Sequence, residues 1–138
     1  MKNAHGIIVA TPIYKASFSG LLKAALDILP QYAFVGKVIL PLGTGGSLAH
    51  MLALDYALRP VLQSMGARHI VQSHFVLDTL LSADGSQISL EDSNFAGLRR
   101  ARDHFMHSLT ENLDQSGLRY PRAELSLADT NRQLAARS

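Results

Sequence analysis

The first twenty residues constrain the fold of this chain more than any other segment. Gly6 to Ala10 form an unbroken apolar run, and Thr11 and Pro12 then lead through a turn into a helical pattern. Apolar residues without alternation are typical of a central strand in a parallel sheet, because helices cover both faces of such a strand. Central strands also need a neighbour at each edge, and only five residues precede this one. We therefore expect either a partner strand from elsewhere or a chain that is the rear part of a larger domain.

The next residues predict two strand–helix units. Ser17 is expected to cap a helix over about Phe18 to Leu29. A second strand is predicted for Val38 to Leu42, and Gly43 to Ser47 form the loop before a helix over about Ala49 to Met65. This alternation predicts parallel strands in a three-layer α/β architecture, in which ligands bind beyond the carboxyl ends of the strands.

A third strand is predicted from a mixed apolar and polar pattern. Arg68 to Leu77 is expected to form an edge strand with Val71, Phe75 and Leu77 on one face. The small and polar residues that follow it, Ser82 to Ser86, are expected to form a loop.

One helix carries a proline in its interior. An apolar stripe at steps of three and four runs through it without a change of phase, over Met51, Leu54, Leu58, Val61 and Met65. Pro60 lacks the amide that would bond the carbonyl of Tyr56. We therefore expect a single helix with a bulge near Tyr56.

The composition is that of one soluble globular domain. Hydrophobic residues make up 47% of the chain, charged residues 17%, and the formal net charge is only +2, which argues against nucleic acid as a partner. There is no cysteine, and the apolar run is too short for a membrane span, so we expect a cytoplasmic protein. We assign residues 1–116 to an α/β domain that ends in a helix over about Glu91 to Leu113. Residues 117–138 are expected to form an extended or disordered polar tail.

Two loops are expected at the carboxyl edge of the sheet. Gly43 to Ser47 combines permissive glycines with a capping serine, which suits either ligand binding or a tight turn. Thr11 to Lys15 offers a rigid turn, an aromatic ring and a cation. Taken alone, however, this segment favours a strand that ends at a proline and is followed by a packed tyrosine.

The remaining polar residues do not form an acid–base constellation. His104 and His107 share a helical face without an obvious third metal ligand, so no metal site is expected. His69 and His74 are five residues apart on a strand, which predicts opposite faces. Three acids are dispersed and lack evident partners, namely Asp27, Asp55 and Asp78. This absence suits hydride transfer, in which cofactors carry the chemistry and the protein supplies stacking and orientation.

Four motifs in order along the chain resemble the NAD(P)H-dependent FMN reductases. They are Thr11 to Asp27 (TPIYKASFSGLLKAALD), Gly36-Lys37, Thr44 to Gly46, and Ala53 to Pro60 (ALDYALRP). The chain is most similar to the branch that supplies reduced flavin to alkanesulfonate monooxygenases. The resemblance implies a flavodoxin-like fold with strand order 2-1-3-4-5, of which this chain would hold the third, fourth and fifth strands and lack the first two.

The resemblance also implies a set of cofactor-binding residues. Those lining FMN would be Pro12, Ile13, Tyr14, Lys15, Thr44, Gly45 and Gly46. Family members hold the FMN phosphate with a Gly-Ser-x-Arg loop, which this sequence does not contain. Lys15 and the amides near Ser47 are the evident substitutes, so we expect weak flavin binding by this chain alone.

By the same resemblance, Tyr56 matches an inserted tyrosine that causes a π-type bulge at an oligomer interface near the flavin. The implied protein is a dimer or tetramer that passes hydride from NADPH or NADH to FMN, with no protein group acting as proton donor, and delivers reduced FMN to a monooxygenase. Two alternatives stay open: a non-catalytic remnant that only self-associates, and a related flavodoxin-like quinone or azo reductase.

Overall fold

The computed structural model describes residues 3–84, 87–90 and 92–115. Within these residues, a five-stranded sheet carries helices on both faces, and a two-stranded hairpin lies apart from it. The strands are β1 (Gly6–Tyr14), β2 (Ser17–Phe18), β3 (Val38–Gly45), β4 (His69–Ile70), β5 (His74–Leu77), β6 (Leu81–Asp84) and β7 (Gln87–Leu90). The α-helices are α1 (Gly20–Asp27), α2 (Arg59–Ser64) and α3 (Asp92–Gln115).

The centre of the sheet is parallel, as predicted. β1 pairs with β3 from Gly6–Val38 to Pro12–Thr44, and β4 and β5 both pair with the other edge of β3 in the same direction. The outer edge of β1 is paired only by β2, which is antiparallel to Ile13 and Tyr14, within the part of the chain that the structure describes.

Two apolar clusters lie on opposite faces of the sheet. The larger joins β1 and β3 to α1 and to the helical segment that includes α2, and the smaller packs β3 against Phe105 of α3. This arrangement confirms the three layers. The expectation that both faces of β1 are covered is wrong, because Val9 is buried whereas Ile8 is 55% exposed. Among the described residues, α3 reaches this face of β1 at Gly6, where Phe105 packs, and leaves Ile8 open.

The first helix begins two residues later than predicted. Ser17 is not its cap, because Ser17 pairs with Tyr14 in the short antiparallel strand β2. Ser19 caps α1 instead: its Oγ accepts a hydrogen bond from the Leu22 amide at 3.2 Å. The Ser19 amide in turn donates to Thr11 Oγ1 at 3.1 Å, which ties the start of the helix to β1.

The predicted bulge near Tyr56 is confirmed. A 3-10 turn over Leu48–Met51 leads into a π-helix over Leu54–Leu58, which continues directly into α2. Pro60 lies at the start of α2, and the π-helix accommodates its missing amide. Leu54 packs against the backbone of Gly43, where an added Cβ would lie 3.0 Å from its methyl carbons.

The third strand is broken, and the break reverses the predicted faces. Val38 pairs with His69 and Leu42 with His74, so six residues on this strand lie opposite five on β3. One extra residue moves every later side chain to the other face. Val71 therefore joins the α3 cluster while Phe75 joins the opposite one, and His69 and His74 share a face instead of opposing each other.

The C-terminal part departs from the prediction at one place. β6 and β7 form an antiparallel hairpin where Ser82 to Ser86 was expected to be a loop, because Leu81 and Ser82 pair with Leu90 and Ser89. The final helix is confirmed as α3. The predicted tail at 117–138 lies outside the described residues and stays a prediction. None of the helices in the described segments is long and apolar enough to cross a membrane.

Candidate functional site

The two loops singled out in the sequence meet at the carboxyl edge of the sheet. Pro12 of β1 pairs with Thr44 of β3, and Val76 of β5 pairs with Thr44 on its other side. The ends of the three parallel strands therefore lie side by side, with the turn after Tyr14 next to the loop that begins at Gly46. Ligand sites of open α/β sheets form at this kind of edge.

The turn between β1 and β2 holds Tyr14 and Lys15 out toward solvent. Lys15 and Ala16 have φ angles of 51° and 59°, the left-handed conformation that a tight type I′ hairpin turn requires. Tyr14 is 65% exposed, so the interpretation of a packed tyrosine is wrong, and β1 continues through Pro12 instead of ending there. Ile13 is only 3% exposed and belongs to the core, so its side chain anchors the turn from below.

The glycine loop differs in crowding from one glycine to the next. An added Cβ at Gly45 would lie 3.3 Å from Phe75 Cζ and 3.4 Å from His50 Nδ1, whereas one at Gly46 would meet nothing within 4 Å. Gly46 thus exposes bare backbone to open space, which a flat ring can approach closely. Ser47 caps the following 3-10 turn, with its Oγ accepting from the Ala49 amide at 3.3 Å.

Asp78 lies at the edge of the candidate site, although the sequence did not single it out as a cofactor-binding residue. It follows β5 directly, and its carboxylate accepts a hydrogen bond from Thr44 Oγ1. The interpretation of unpartnered acids is therefore wrong here, and also for Asp55 and Asp27, which pair with Arg59 and Lys23. The signal in the sequence was the position of Asp78 at the carboxyl end of a predicted strand.

A largely apolar cavity of 330 Å³ extends from Thr44 along the sheet face that carries α3. Its lining is Ala10, Thr11, Pro12, Leu42, Gly43, Thr44, His74, Val76, Leu81 and Leu98. Nε2 of His74 is buried there without a hydrogen-bond partner among the described residues. Burial lowers the pKa of the His74 imidazole, and the positive charge of Arg100 lowers it further, so this ring favours its neutral form.

The other candidate polar residues stay apart from this edge. His104 and His107 lie exposed on α3, where His107 Nε2 lies 3.4 Å from Glu111. No group of three metal-ligating side chains occurs within the described residues.

The residues at this edge fit a flat, anionic cofactor such as FMN. Tyr14 offers an exposed ring, Gly46 offers open backbone, and Lys15 offers a cation that forms no ion pair within the described segments. The exposed aromatic ring and the open backbone suit the flat ring of FMN. For the phosphate of FMN, the nearby donors are Lys15 and the amides near Ser47.

The sequence is similar to those of known flavin reductases. The sequence profile of the NADPH-dependent FMN reductases matches residues 1–80. An FMN reductase (NADPH) of Pseudomonas putida KT2440 is 46% identical over 120 residues, which cover 86% of this chain and 57% of that protein. An FMN reductase (NADPH) of Escherichia coli K12 is 54% identical over 79 residues, which cover 57% of this chain and 41% of that protein.

A solved structure shares the fold. The apo form of an NADH:FMN oxidoreductase (EMOB) superimposes with a TM-score of 0.67 and 60% sequence identity, over 77% of this chain and 54% of that one. Together with the parallel sheet between two helical layers, this neighbour confirms the flavodoxin-like α/β fold. The chain spans about half the length of the relatives it matches. Sequence and fold together show that the chain belongs to the NADPH-dependent FMN reductase family.

Proposed function

We propose that this chain binds FMN and takes part in its reduction by NADPH or NADH. The observation that supports the proposal is the pairing of Pro12 with Thr44, which brings the Tyr14 turn and the Gly46 loop to the same edge of the sheet in a member of this family, and we take the space between them as the flavin cleft. When bound, FMN supplies the ring that accepts a hydride from the reduced nicotinamide. The protein has to bind and orient the two rings and keep water from them.

Each residue of the cleft has a separate task in this proposal. Tyr14 provides an aromatic surface beside the flavin ring, and Gly46 lets the ring lie against the backbone. Lys15 and the amides near Ser47 offset the phosphate charge. Gly45 allows the loop to pack closely against Phe75. No side chain is assigned as a proton donor, since hydride transfer between two cofactors requires only their alignment.

We also infer that the protein works as a homo-oligomer and delivers reduced FMN to a monooxygenase of the alkanesulfonate type. Support for self-association comes from the π-helix, where Tyr56 is 78% exposed and Leu48 and Leu52 beside it are exposed as well. Contiguous exposed apolar side chains mark contact surfaces on soluble proteins. The monooxygenase partner rests on the sequence resemblance alone.

A pair of tyrosine variants tests the proposed cleft. Tyr14→Ala should weaken FMN binding about tenfold, because an aromatic contact contributes about 1.5 kcal/mol. Tyr32→Ala is the matched control, since Tyr32 is 66% exposed but lies outside the cleft. The measurements are quenching of FMN fluorescence on titration with the purified chain, and oxidation of NADPH and of NADH in the presence of FMN.

The same assays separate the alternatives. Absence of both flavin quenching and FMN-dependent turnover in the wild-type chain, with a defined oligomer by light scattering, would favour the self-associating remnant. Faster turnover with a quinone than with free FMN as electron acceptor would favour the quinone reductase. Equal losses in Tyr14→Ala and Tyr32→Ala would place the flavin elsewhere.

A further inference from the structure

The carboxylate of Asp78 lies beside the glycine loop of the proposed cleft. Asp78 is the first residue of a 3-10 turn, Asp78–Leu80, that follows β5 directly. Val76 pairs with Thr44 and Leu77 with Gly45, so Asp78 comes next along the strand beside the glycine loop. Its carboxylate accepts the hydrogen bond from Thr44 Oγ1 across this edge.

The broken third strand makes this contact possible. If the chain continued from His69 in register with β3 and without a bulge, Phe75 rather than Val76 would pair with Thr44, and Asp78 would fall on the opposite face of the sheet. The guanidinium of Arg59, which lies on another element, donates hydrogen bonds to the carbonyls of Ile70 and Val71 in the bulge, at 3.0 and 3.3 Å. The position of Asp78 is thus a consequence of sheet register, not of chance contact on a surface.

We propose that Asp78 is a positioning residue that turns the Thr44 hydroxyl into a hydrogen-bond acceptor toward the bound flavin, an inference that rests on the proposed function. An ionised carboxylate only accepts hydrogen bonds, so Thr44 must donate its single hydroxyl proton to Asp78. What remains for a ligand is the pair of oxygen lone pairs. The ligand atom opposite Thr44 must therefore carry a hydrogen.

Two groups of FMN carry such a hydrogen: the imide N–H of the ring and the hydroxyls of the ribityl chain. Both offer the same chemistry to Thr44, a neutral donor beside the ring. A ligand that presents only a carbonyl at this position would leave two acceptors facing each other, and the unmet groups would weaken binding. Asp78 thereby selects the orientation of the flavin without touching it.

The contact between Thr44 and Asp78 is exposed to solvent in the free protein. Substitutions there should change the stability of the free chain little, since water replaces the lost partner. A bound flavin covers Thr44 and excludes that water, so the effect should appear in flavin affinity. This difference between stability and affinity separates a positioning role from a merely structural one.

The test is a double-mutant cycle read by FMN titration and by thermal unfolding without FMN. We expect Asp78→Ala and Thr44→Val each to weaken FMN binding about fivefold to tenfold, and the double variant to bind no worse than Thr44→Val, because both act through one hydroxyl. Asp78→Asn should restore most of the affinity, since its amide oxygen still accepts from Thr44. Asp103→Ala, which removes the same charge from an exposed site on α3, is the control and should bind as the wild type does.

A flavin methylated at the imide nitrogen identifies the donor. If the imide N–H faces Thr44, methylation weakens binding to the wild type but not to Thr44→Val. If a ribityl hydroxyl does, lumiflavin binds the wild type more weakly than riboflavin does, whereas the two bind Thr44→Val alike, and neither of these two flavins carries the phosphate. Unchanged FMN affinity in Asp78→Ala, or additive losses in the double variant, would overturn the assignment of Asp78 alone. A wild-type chain that binds no FMN would overturn the proposed function and this assignment with it.

Discussion

Lys15 and Ala16 are two successive non-glycine residues in the left-handed conformation. The Cβ of an L-residue crowds the following carbonyl there, at about 1 kcal/mol or more for each residue. Such conformations persist where the surrounding structure holds them, and here Tyr14 pairs with Ser17 directly across the turn. The strain sits in the turn that presents Tyr14 and Lys15 to the proposed cleft, so it is part of how those side chains are displayed.

Ala16→Gly should stabilise the chain. Glycine relieves the crowding at φ 59° but loses more backbone entropy on folding, so the net gain in the free energy of unfolding should be about 0.5 kcal/mol. Ala24→Gly on the exposed side of α1 is the matched control and should lower that free energy by about 1 kcal/mol. Urea unfolding of the three chains measures both. Losses of equal size in the two variants would contradict a strained turn at Ala16.

The helical segment before α2 and the broken strand β4–β5 are linked through Arg59. Its guanidinium binds Asp55 at 3.0 Å, one turn away, and the carbonyls of Ile70 and Val71 in the break. Ser73 also donates to Asp55, at 3.4 Å. A planar guanidinium can hold three acceptors at once, whereas a lysine ammonium is a point charge on a flexible stem. Arg59, the first residue of α2, thus joins Asp55 of the π-helix to the bulge on which the face of Phe75 and the position of Asp78 depend.

Arg59→Ala should lower the free energy of unfolding by about 2 kcal/mol, because partly buried carbonyls lose a charged donor. Arg59→Lys should recover only a minor part of this loss. Arg102→Ala is the control: Arg102 pairs with Asp103 in solvent, so its loss should change stability by no more than about 0.5 kcal/mol. Hydrogen exchange at the Val71 amide, which donates to Ile39 at 2.9 Å, should rise in Arg59→Ala but not in Arg102→Ala. Full stability in Arg59→Lys would show that the fork geometry is not needed.

At the scale of the whole molecule, several apolar side chains around the π-helix are uncovered, as are Leu21 and Ile28 at α1. Tyr56 projects from the bulge and is the most exposed of those around the π-helix. A π-helix inserts one residue into a helical turn and so shifts a side chain from the buried face outward. The bulge that Pro60 requires therefore also creates the surface proposed for association between copies.

Tyr56→Ser should reduce self-association, because it removes the largest apolar side chain of this surface. Light scattering after size-exclusion chromatography at several concentrations should show a shift toward the monomer. Met106→Ser on α3 serves as the control, since Met106 is also exposed but lies on the other side of the sheet, and it should leave the assembly unchanged. An unaltered oligomer in Tyr56→Ser, or an equal shift in Met106→Ser, would count against the proposed interface.

Local patterns in the sequence were enough to determine most of the architecture and to bring the two loops of the proposed site to one edge of the sheet. Apolar runs and helical spacing predicted the parallel strands and the two helical layers, and Pro60 predicted the bulge at Tyr56 because a missing amide acts within one helical turn. The carboxyl-edge rule then placed Thr11 to Lys15 beside Gly43 to Ser47, since parallel strands end at the same edge. The family resemblance rests on the same local motifs.

Only the tertiary structure decided register and pairing. At the break in the third strand, Arg59 binds carbonyls eleven and twelve residues away, a contact that no local period reveals. A single extra residue there reverses every later side chain. The partner of Asp78, the shared face of His69 and His74 and the exposure of Ile8 all follow from that long-range arrangement of strands and helices. Periodicity specifies which residues form an element, whereas contacts distant along the chain specify which way each element faces.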